Sequence, residues 1–321
     1  MKAIRVNQTG GPEVLVLEQL QLLEPMNAQV RIRIEAIGVN FVDTYFRRGL
    51  YAQDTPFTPG MEAAGIVDAC GPEVETVTPG DRVAYAMQIG SYAEYALVPA
   101  WQLVKLPQEV DTRSGAALIL QGLTAHYLCT STYALKAGNI ALVHAAAGGL
   151  GRLLVQMAKI RGARVLGVVS TQEKALVADQ AGADEVFIGD RVSFETECRR
   201  LAPEGVDVVY DSVGRDTFER SLDCLKPRGL LVLVGQASGP VPPQDLQILN
   251  SKGSLFLTRP TLKHYAANRE EIAARTSDLF AWLRSGRLEL KIDNELPLAA
   301  APEAHRYLEA RKTKGKVLLI P

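Results

Sequence analysis

The sequence predicts an α/β protein in which a β-rich domain is interrupted by an inserted, doubly wound parallel-sheet domain. Three observations carry that expectation. The first third holds short period-2 apolar runs between closely spaced turn signals. From about 120 to 257, short apolar strands alternate with helix-length segments. The run Lys316-Val317-Leu318-Leu319-Ile320 then reads as one more strand, packing back on the first domain.

In chain order, Met1-Lys2-Ala3-Ile4-Arg5-Val6 alternates like a short strand and gives way to Gln8-Thr9-Gly10-Gly11-Pro12. Val30, Ile32 and Ile34 alternate with Arg31, Arg33 and Glu35, which buries one face of a strand. Turn signals at Gly60, Gly65, Gly71-Pro72, Pro79-Gly80-Asp81 and Gly90 predict a compact, barrel-like β domain rather than βαβ units. Residues 140–143 form the first strand of the second domain, and Leu150, Leu153, Leu154, Met157 and Ala158 mark one face of the following helix. Residues 164–169 are the next strand, with a helix beginning near Thr171; 185–188, 206–210, 229–234 and 254–257 continue the series. Helical periodicity returns over 268–285 through Ile272, Leu279, Phe280 and Leu283 and stops at Gly286. The expected boundaries are 1–122 with 262–321 for the first domain and 123–261 for the second.

Composition excludes several classes. A chain of 321 residues suffices for two cores, and 22% charged with 47% hydrophobic residues is an ordinary globular balance. Lys and Arg total 35 against 36 acidic residues, a net charge of -1, which argues against nucleic-acid or membrane-surface binding through bulk positive charge. No apolar run approaches the roughly 20 residues of a spanning helix. The N-terminus lacks a signal-peptide stretch, so the cytoplasm is expected. Cys70, Cys129, Cys198 and Cys224 contain no C-x-x-C pair, and are expected as reduced thiols rather than disulfides or a zinc ribbon.

The most informative stretch is His144-Ala145-Ala146-Ala147-Gly148-Gly149-Leu150-Gly151, between a strand and a helix. Small residues there let the backbone approach a pyrophosphate, whose charge sits at the positive end of the helix. Ala147, Gly148, Gly149, Leu150 and Gly151 are the candidate cradle, with Ala146 where G-x-G-x-x-G has its first glycine. A site for NAD places a carboxylate at the end of the next strand, to hold the ribose 2′-OH. Here that strand ends in Ser170-Thr171-Gln172-Glu173-Lys174. Hydroxyls and an ammonium suit a 2′-phosphate, which predicts NADPH. The alternative makes Ser170 or Thr171 an ordinary helix cap with Lys174 in solvent, and Glu173 is an acidic neighbour.

Several motifs resemble a known family. They are Gly10-Gly11-Pro12-Glu13-Val14-Leu15, Gly38-Val39-Asn40-Phe41-Val42-Asp43-Thr44-Tyr45, Gly122-Leu123-Thr124-Ala125, the glycine loop, Asp211-Ser212-Val213-Gly214, Lys252-Gly253-Ser254-Leu255 and Thr258-Arg259-Pro260. Almost end to end, the chain resembles the zeta-crystallin-like quinone oxidoreductases of the medium-chain dehydrogenase/reductase superfamily. That resemblance implies a GroES-like catalytic domain, a Rossmann domain, an active-site cleft between them and a homodimer. It implies cofactor contacts at Asn40, Thr124, Tyr133, Lys174 and Arg311. Gly235, after the 229–234 strand, is carried as a further cofactor candidate. Similar enzymes often place a Tyr beside the adenosine phosphate where this chain has Gly189; Asp190 and Arg191 follow, and Arg191 is the candidate substitute.

Zinc enzymes of the superfamily carry a Cys where this chain has Asn40, and Gly-His-Glu where it has Gly60-Met61-Glu62. An amide and a thioether are poor zinc ligands, and His126, His144, His264 and His305 have no H-x-x-x-H spacing, so no metal is expected. Without a Lewis acid a quinone is the easiest acceptor, since its ring delocalises the arriving charge. The expected function is NADPH-dependent quinone reduction, by hydride or single-electron steps, with Asn40, Tyr45 and Tyr51 as catalytic candidates. Asn40 would position the nicotinamide or its ribose; each tyrosine is either an edge donor or aromatic wall for the quinone, or simply a packed side chain. Arg259 holds either an anionic group or a salt bridge, and Asp43 is expected to be structural. The alternatives are an NADPH-dependent enone or alkenal reductase, and a non-catalytic NADPH-binding or RNA-binding crystallin-like protein. Residues 246–257 are expected to pair edge to edge with a second copy.

Overall fold

The computed structural model describes residues 1–189 and 193–321. The chain forms two compact units: Met1–Leu123 with Ala266–Arg284 and Leu290–Pro321, and Thr124–Tyr265 with Ser285–Glu289. The first unit begins with β1 (Lys2–Val6) and β2 (Leu15–Gln19), an antiparallel pair. β3 (Gln29–Val39), α1 (Phe41–Arg47), β4 (Glu62–Cys70), β5 (Arg82–Ala86), β6 (Tyr95–Pro99) and β7 (Val104–Lys105) follow. The helix α2 (Thr112–Tyr127) leads into the second unit and continues as a π-helical turn, Leu128–Thr132.

The second unit alternates strand and helix: β8 (Ile140–His144), α3 (Gly149–Ile160), β9 (Arg164–Val169), α4 (Gln172–Gln180), β10 (Glu185–Ile188), α5 (Phe194–Leu201), β11 (Val206–Asp211), α6 (Phe218–Asp223), β12 (Leu225–Leu233), α7 (Gln247–Ser251) and β13 (Phe256–Thr258). The chain then returns to the first unit with α8 (Arg269–Arg284), β14 (Ile292–Pro297), α9 (Ala301–Glu309) and β15 (Lys316–Ile320).

Among the described residues the second unit has one parallel sheet in the order β10-β9-β8-β11-β12-β13. The strand order reverses between β8 and β11, so the loop after β8 opens at the crevice where such sheets take ligands. β11 is buried at every position, as expected of a strand covered on both faces. The α3 helix is buried from Gly151 to Ala158 rather than along one face only. The helix packs on β8, β9, α4 and the π-helical turn, and the segment Ser285–Glu289 adds to the cover: Gln156 Oε1 accepts from Glu289 N (2.8 Å), and Gln156 Nε2 and Arg152 Nη1 donate to Glu289 O (3.1 and 3.2 Å).

In the first unit the sheet runs β14-β15-β3-β4-β5-β7, with β6 also on β3. β3 alternates buried and exposed positions as far as Ala36, then stays buried to Val39, where β15 pairs with Ile37, Gly38 and Val39. That explains why its pattern changes from Val-x-Ile-x-Ile to Ala-Ile-Gly-Val. No helix among the described residues is long and apolar enough to cross a membrane.

A buried polar chain ties α1 to α9. Glu309 accepts both Nη1 and Nη2 of Arg47 (3.1 and 2.7 Å), and Arg47 Nη1 also lies 2.9 Å from His305 Nδ1. A guanidinium only donates, so His305 Nδ1 accepts and its proton sits on Nε2. Nε2 then donates to Tyr92 Oη (2.9 Å), whose own proton goes to Asp43 Oδ2 (3.1 Å). Asp43 Oδ2 also accepts the Asn40 backbone N–H at the start of α1 (2.8 Å). Burial, followed by Arg47, depresses His305 to about 3. Burial raises Asp43 to about 7, and its Oδ1 is buried without a hydrogen-bond partner. The chain therefore holds a neutral acid and a neutral imidazole near pH 5.

Between about pH 4 and 6.5 the folded pair carries its one proton on Asp43, while the unfolded chain carries one on His305, so the two contributions cancel. Asp43→Asn removes the folded-state proton: relative to the parent, stability should then fall as pH drops from about 7 towards 4. His305→Gln should do the reverse, with relative stability falling as pH rises from about 3 to 6.5. Each slope is expected at roughly 1 kcal/mol per pH unit. Urea unfolding across this range checks it; slopes of the same sign for both variants contradict the assignment.

Candidate functional site

In the second unit, β8 ends at His144 and the chain turns through Ala145, whose φ of 50° lies in the left-handed region. An alanine there costs on the order of 1 kcal/mol, and such outliers persist where the surroundings enforce them. Ala146 N donates to Val168 O (3.2 Å) and Gly148 N to Ala145 O (2.9 Å), so the loop folds tightly over β9. Gly148 is the N-cap of α3 and offers no side chain, which leaves the first-turn N–H groups of Gly149, Leu150 and Gly151 without a capping side chain. A Cβ on Gly151 would collide with the Ala145 carbonyl oxygen, and it would lie 3.0 Å from Ala146 Cα. Only glycine lets α3 start so close to the loop. Ala147 is buried beneath it.

The left-handed residue is thus Ala145, one position before the expected first glycine. Ala146 has no positive φ and is buried against Gly167, where a Cβ would lie 3.1 Å from its own.

The same carboxyl edge carries the end of β9. Thr171 is the N-cap of α4, its hydroxyl accepting Lys174 N at 3.2 Å. Ser170 is exposed, with its Oγ 3.5 Å from Lys174 Nζ. Capping is therefore done by Thr171, while Ser170 and the Lys174 ammonium stand side by side. Gly189, after β10, has ordinary space where a Cβ would sit, 3.6 Å from Val168 Cγ1. Arg191 lies outside the described residues.

Two neighbouring strand ends complete the edge. Asp211 is wholly buried and accepts Val213 N, Gly214 N, Thr217 Oγ1 and Ser221 Oγ at 2.7–3.0 Å, building the turn after β11. Ser221 gives its proton to Asp211, so His144 Nε2, 2.9 Å from Ser221 Oγ, is the donor to it. Burial depresses the His144 pKa, against the pull of Asp211. Gly235 follows β12, and a Cβ there would lie 2.8 Å from Ser212 O, so the turns after β11 and β12 can meet only at glycine.

Tyr133 belongs elsewhere. Its hydroxyl donates to Asp207 Oδ1 (3.3 Å), and Asp207 also accepts Ile140 N, the first residue of β8. That is the amino edge of the sheet, opposite the glycine loop, because a turn at Lys136–Asn139 separates Tyr133 from the strand. Tyr133 is thus hydrogen-bonded at that edge of the sheet. Thr124 is buried near the end of α2, and Arg311 follows α9 in the first unit with φ 55°.

In the first unit Asn40 is 5% exposed and its amide is fully used. Nδ2 donates to Gly38 O (3.1 Å) and Glu62 Oε2 (2.8 Å); Oδ1 accepts Gln121 Nε2 (3.2 Å) and Lys316 Nζ (2.9 Å). Lys316 also bonds Glu62 Oε2, and Glu62 Oε1 takes Leu120 N (2.6 Å). Both charges are out of water, at 3% and 0% side-chain exposure. Gly38 is required here, since a Cβ would strike the Glu62 carboxylate. With two donated and two accepted hydrogen bonds, the Asn40 amide is held within the first unit. Tyr45 is buried and Tyr51 is 37% exposed, their rings edge-on at 5.4 Å.

Residues 26–108 match the alcohol dehydrogenase GroES-like domain, and residues 181–319 match the zinc-binding dehydrogenase domain. A quinone oxidoreductase of Pseudomonas aeruginosa is 46% identical, covering 100% of this chain and 99% of its own. The chain belongs to the quinone oxidoreductases of the medium-chain dehydrogenase/reductase superfamily. The Escherichia coli quinone oxidoreductase, solved with NADPH, superposes with a TM-score of 0.98 at 41% identity over the whole of both chains. A 2-haloacrylate reductase of a Burkholderia species is 41% identical over 98% of each chain.

The GroES-like and Rossmann architecture of this oxidoreductase is that of its family. The donor set around Asn40 does not fit the zinc of its dehydrogenase relatives: an amide saturated by protein partners and an ammonium bonded to the adjacent carboxylate repel rather than ligate a dication. Among the described residues no three His, Cys, Asp or Glu side chains gather into a metal-binding group. Sequence reasoning missed Glu62, Lys316 and Gln121. The one local signal was a Lys at the head of an apolar terminal strand.

Removing one member of a buried ion pair strands the other. Lys316→Met should destabilise the first unit by about 3–5 kcal/mol, and Glu62→Gln in the same background should recover most of that loss. Denaturant unfolding of the two single variants and the double variant closes the cycle; simple additivity would show that the pair is not coupled.

Proposed function

We propose that this chain reduces quinones with NADPH and without metal, and that the Ser170–Lys174 pair beside the glycine loop is what selects the phosphorylated cofactor. The supporting observation is the carboxyl edge of the second unit. There a glycine-rich helix start, Gly148-Gly149-Leu150-Gly151, meets a strand end that carries a hydroxyl and an ammonium where a carboxylate would mark an NAD site. The N–H groups at the start of α3 would receive the pyrophosphate, and Ser170 with Lys174 the 2′-phosphate. When bound, NADPH supplies the hydride, and a proton from solvent completes the hydroquinone.

Tyr45 and Tyr51 would wall a flat ring, since their edge-on packing fixes both planes. Asn40 would act indirectly, by fixing the first turn of α1, from which Tyr45 projects. A second reading is reduction of an activated alkene, favoured by the similarity to the 2-haloacrylate reductase. A chain acting as a homodimer through β13 also fits: Phe256 and Leu257 are 60% and 38% exposed on an unpaired strand edge, and Leu246 before α7 is 70% exposed. We place the protein in the cytoplasm, where free thiols such as Cys129, Cys198 and Cys224 stay reduced; cell fractionation would check this.

Steady-state kcat/KM with NADPH and NADH, for 1,2-naphthoquinone, 1,4-benzoquinone and a simple alkenal, tests the function directly. Quinones should lead. An alkenal preferred by more than about tenfold would overturn the assignment. Lys174→Met should weaken NADPH by about tenfold and leave NADH nearly unaffected; equal losses would move the 2′-phosphate elsewhere. Light scattering at micromolar concentration should give the mass of a dimer, and a monomer mass would reject the β13 interface.

A further inference from the structure

The same edge carries positive charge at its far end, which the cofactor reading does not use. Arg259 lies directly after β13 and is exposed. Its Nη2 donates to Oε1 of Gln236 (2.8 Å), a residue only 7% exposed at the end of β12. No carboxylate among the described residues pairs with Arg259, so the salt bridge left open by its sequence is not made. Gln236 O closes the turn by accepting Gly239 N (2.9 Å), and Arg215 lies against that turn: a Cβ on Gly239 would be 3.2 Å from Arg215 Nη1. Arg215 has an exposed partner in Asp216 at 3.3 Å, an interaction that water screens. The nearest buried carboxylate of this edge, Asp211, spends its oxygens on its own turn.

Position separates these guanidiniums from the cofactor phosphates. The pyrophosphate loop follows β8, the 2′-phosphate pair follows β9, and Gln236 follows β12. β12 is two strand spacings from β8, about 10 Å, on the side away from β9. An extended dinucleotide with its adenosine over β9 would direct its nicotinamide towards β11 and β12, with the acceptor beyond it. A buried amide that holds one guanidinium while its remaining donors face solvent is a fixed, directional anion receptor.

We propose that Arg259, oriented by Gln236 and supported by Arg215, is a specificity residue for acceptors bearing a carboxylate or sulfonate. The inference rests on the quinone-reductase reading and narrows its substrate class to anionic quinones.

The test compares kcat/KM for 1,4-naphthoquinone-2-sulfonate and neutral 1,4-naphthoquinone, in the parent and in Arg259→Met and Arg259→Lys. The sulfonate-to-neutral ratio should fall by about 10- to 100-fold in Arg259→Met, mostly through KM, and recover in part with Lys. In the parent, raising KCl to about 0.5 M should lower the same ratio, a readout that needs no variant. Fluorescence titration should show NADPH affinity within about threefold of the parent. A ratio that moves with neither Arg259 nor salt overturns the inference while leaving quinone reduction intact. Loss of NADPH affinity in Arg259→Met overturns it too, by assigning the arginine to the cofactor. A parent that turns over neither quinone defeats the underlying reading, and the inference with it.

Discussion

An ammonium and a carboxylate can both leave water only when each supplies what the other has lost. Lys316 and Glu62 do so at the centre of the first unit, and much of that unit is arranged to permit it. Gly38 removes a side chain that would block the carboxylate; Leu120 N, on α2, satisfies its second oxygen; and Asn40 stands between the two charges with donor and acceptor faces correctly turned. The terminal strand β15 has to pair with β3 for Lys316 to arrive at all. The ends of the chain are therefore held together by a charge requirement as well as by a ladder. In the chain of Asp43, Tyr92 and His305 a few residues away burial works the other way, raising the acid and depressing the imidazole beside the Arg47–Glu309 pair.

The second unit depends on a different constraint, closeness of backbone. Its loop is built almost without side chains, so its binding groups are N–H donors, which no substitution of chemistry alone can remove but any added carbon can displace. That is why Gly151 matters more than the residue at the nominal first glycine. The turn is made by Ala145 in a left-handed conformation, and Ala146 is free to be an ordinary buried residue packed on Gly167.

How much of this was legible follows from the range of each signal. The strands of the parallel sheet and the loop between β8 and α3 are encoded within a few residues, as apolar runs and small residues, and a local pattern suffices to find them. The all-round burial of α3 is not local, because part of its cover, Glu289, arrives from far along the chain. The Glu62–Lys316 pair joins positions 254 apart, which no window of periodicity can span. The bond from Tyr133 to Asp207 is likewise not local, since it joins positions 74 apart across the turn at Lys136–Asn139. Asn40 was legible as a residue, but three of its four hydrogen-bond partners were not, because Glu62, Gln121 and Lys316 lie far from it along the chain.

The division of charge between the units gives these details a common direction. In the first unit the Lys316 and Glu62 charges are paired in the interior, and the rings of Tyr45 and Tyr51 pack edge-on at 5.4 Å. In the second unit positive groups stand apart along one sheet edge, Lys174 in the helix after β9 and Arg259 after β13, with uncharged glycine turns between them. A dianionic group at one end and a neutral ring near the middle would account for Lys174 and the glycines alone. The second cation is left over, held in place by a buried glutamine, and a group so fixed discriminates among acceptors by charge rather than by shape.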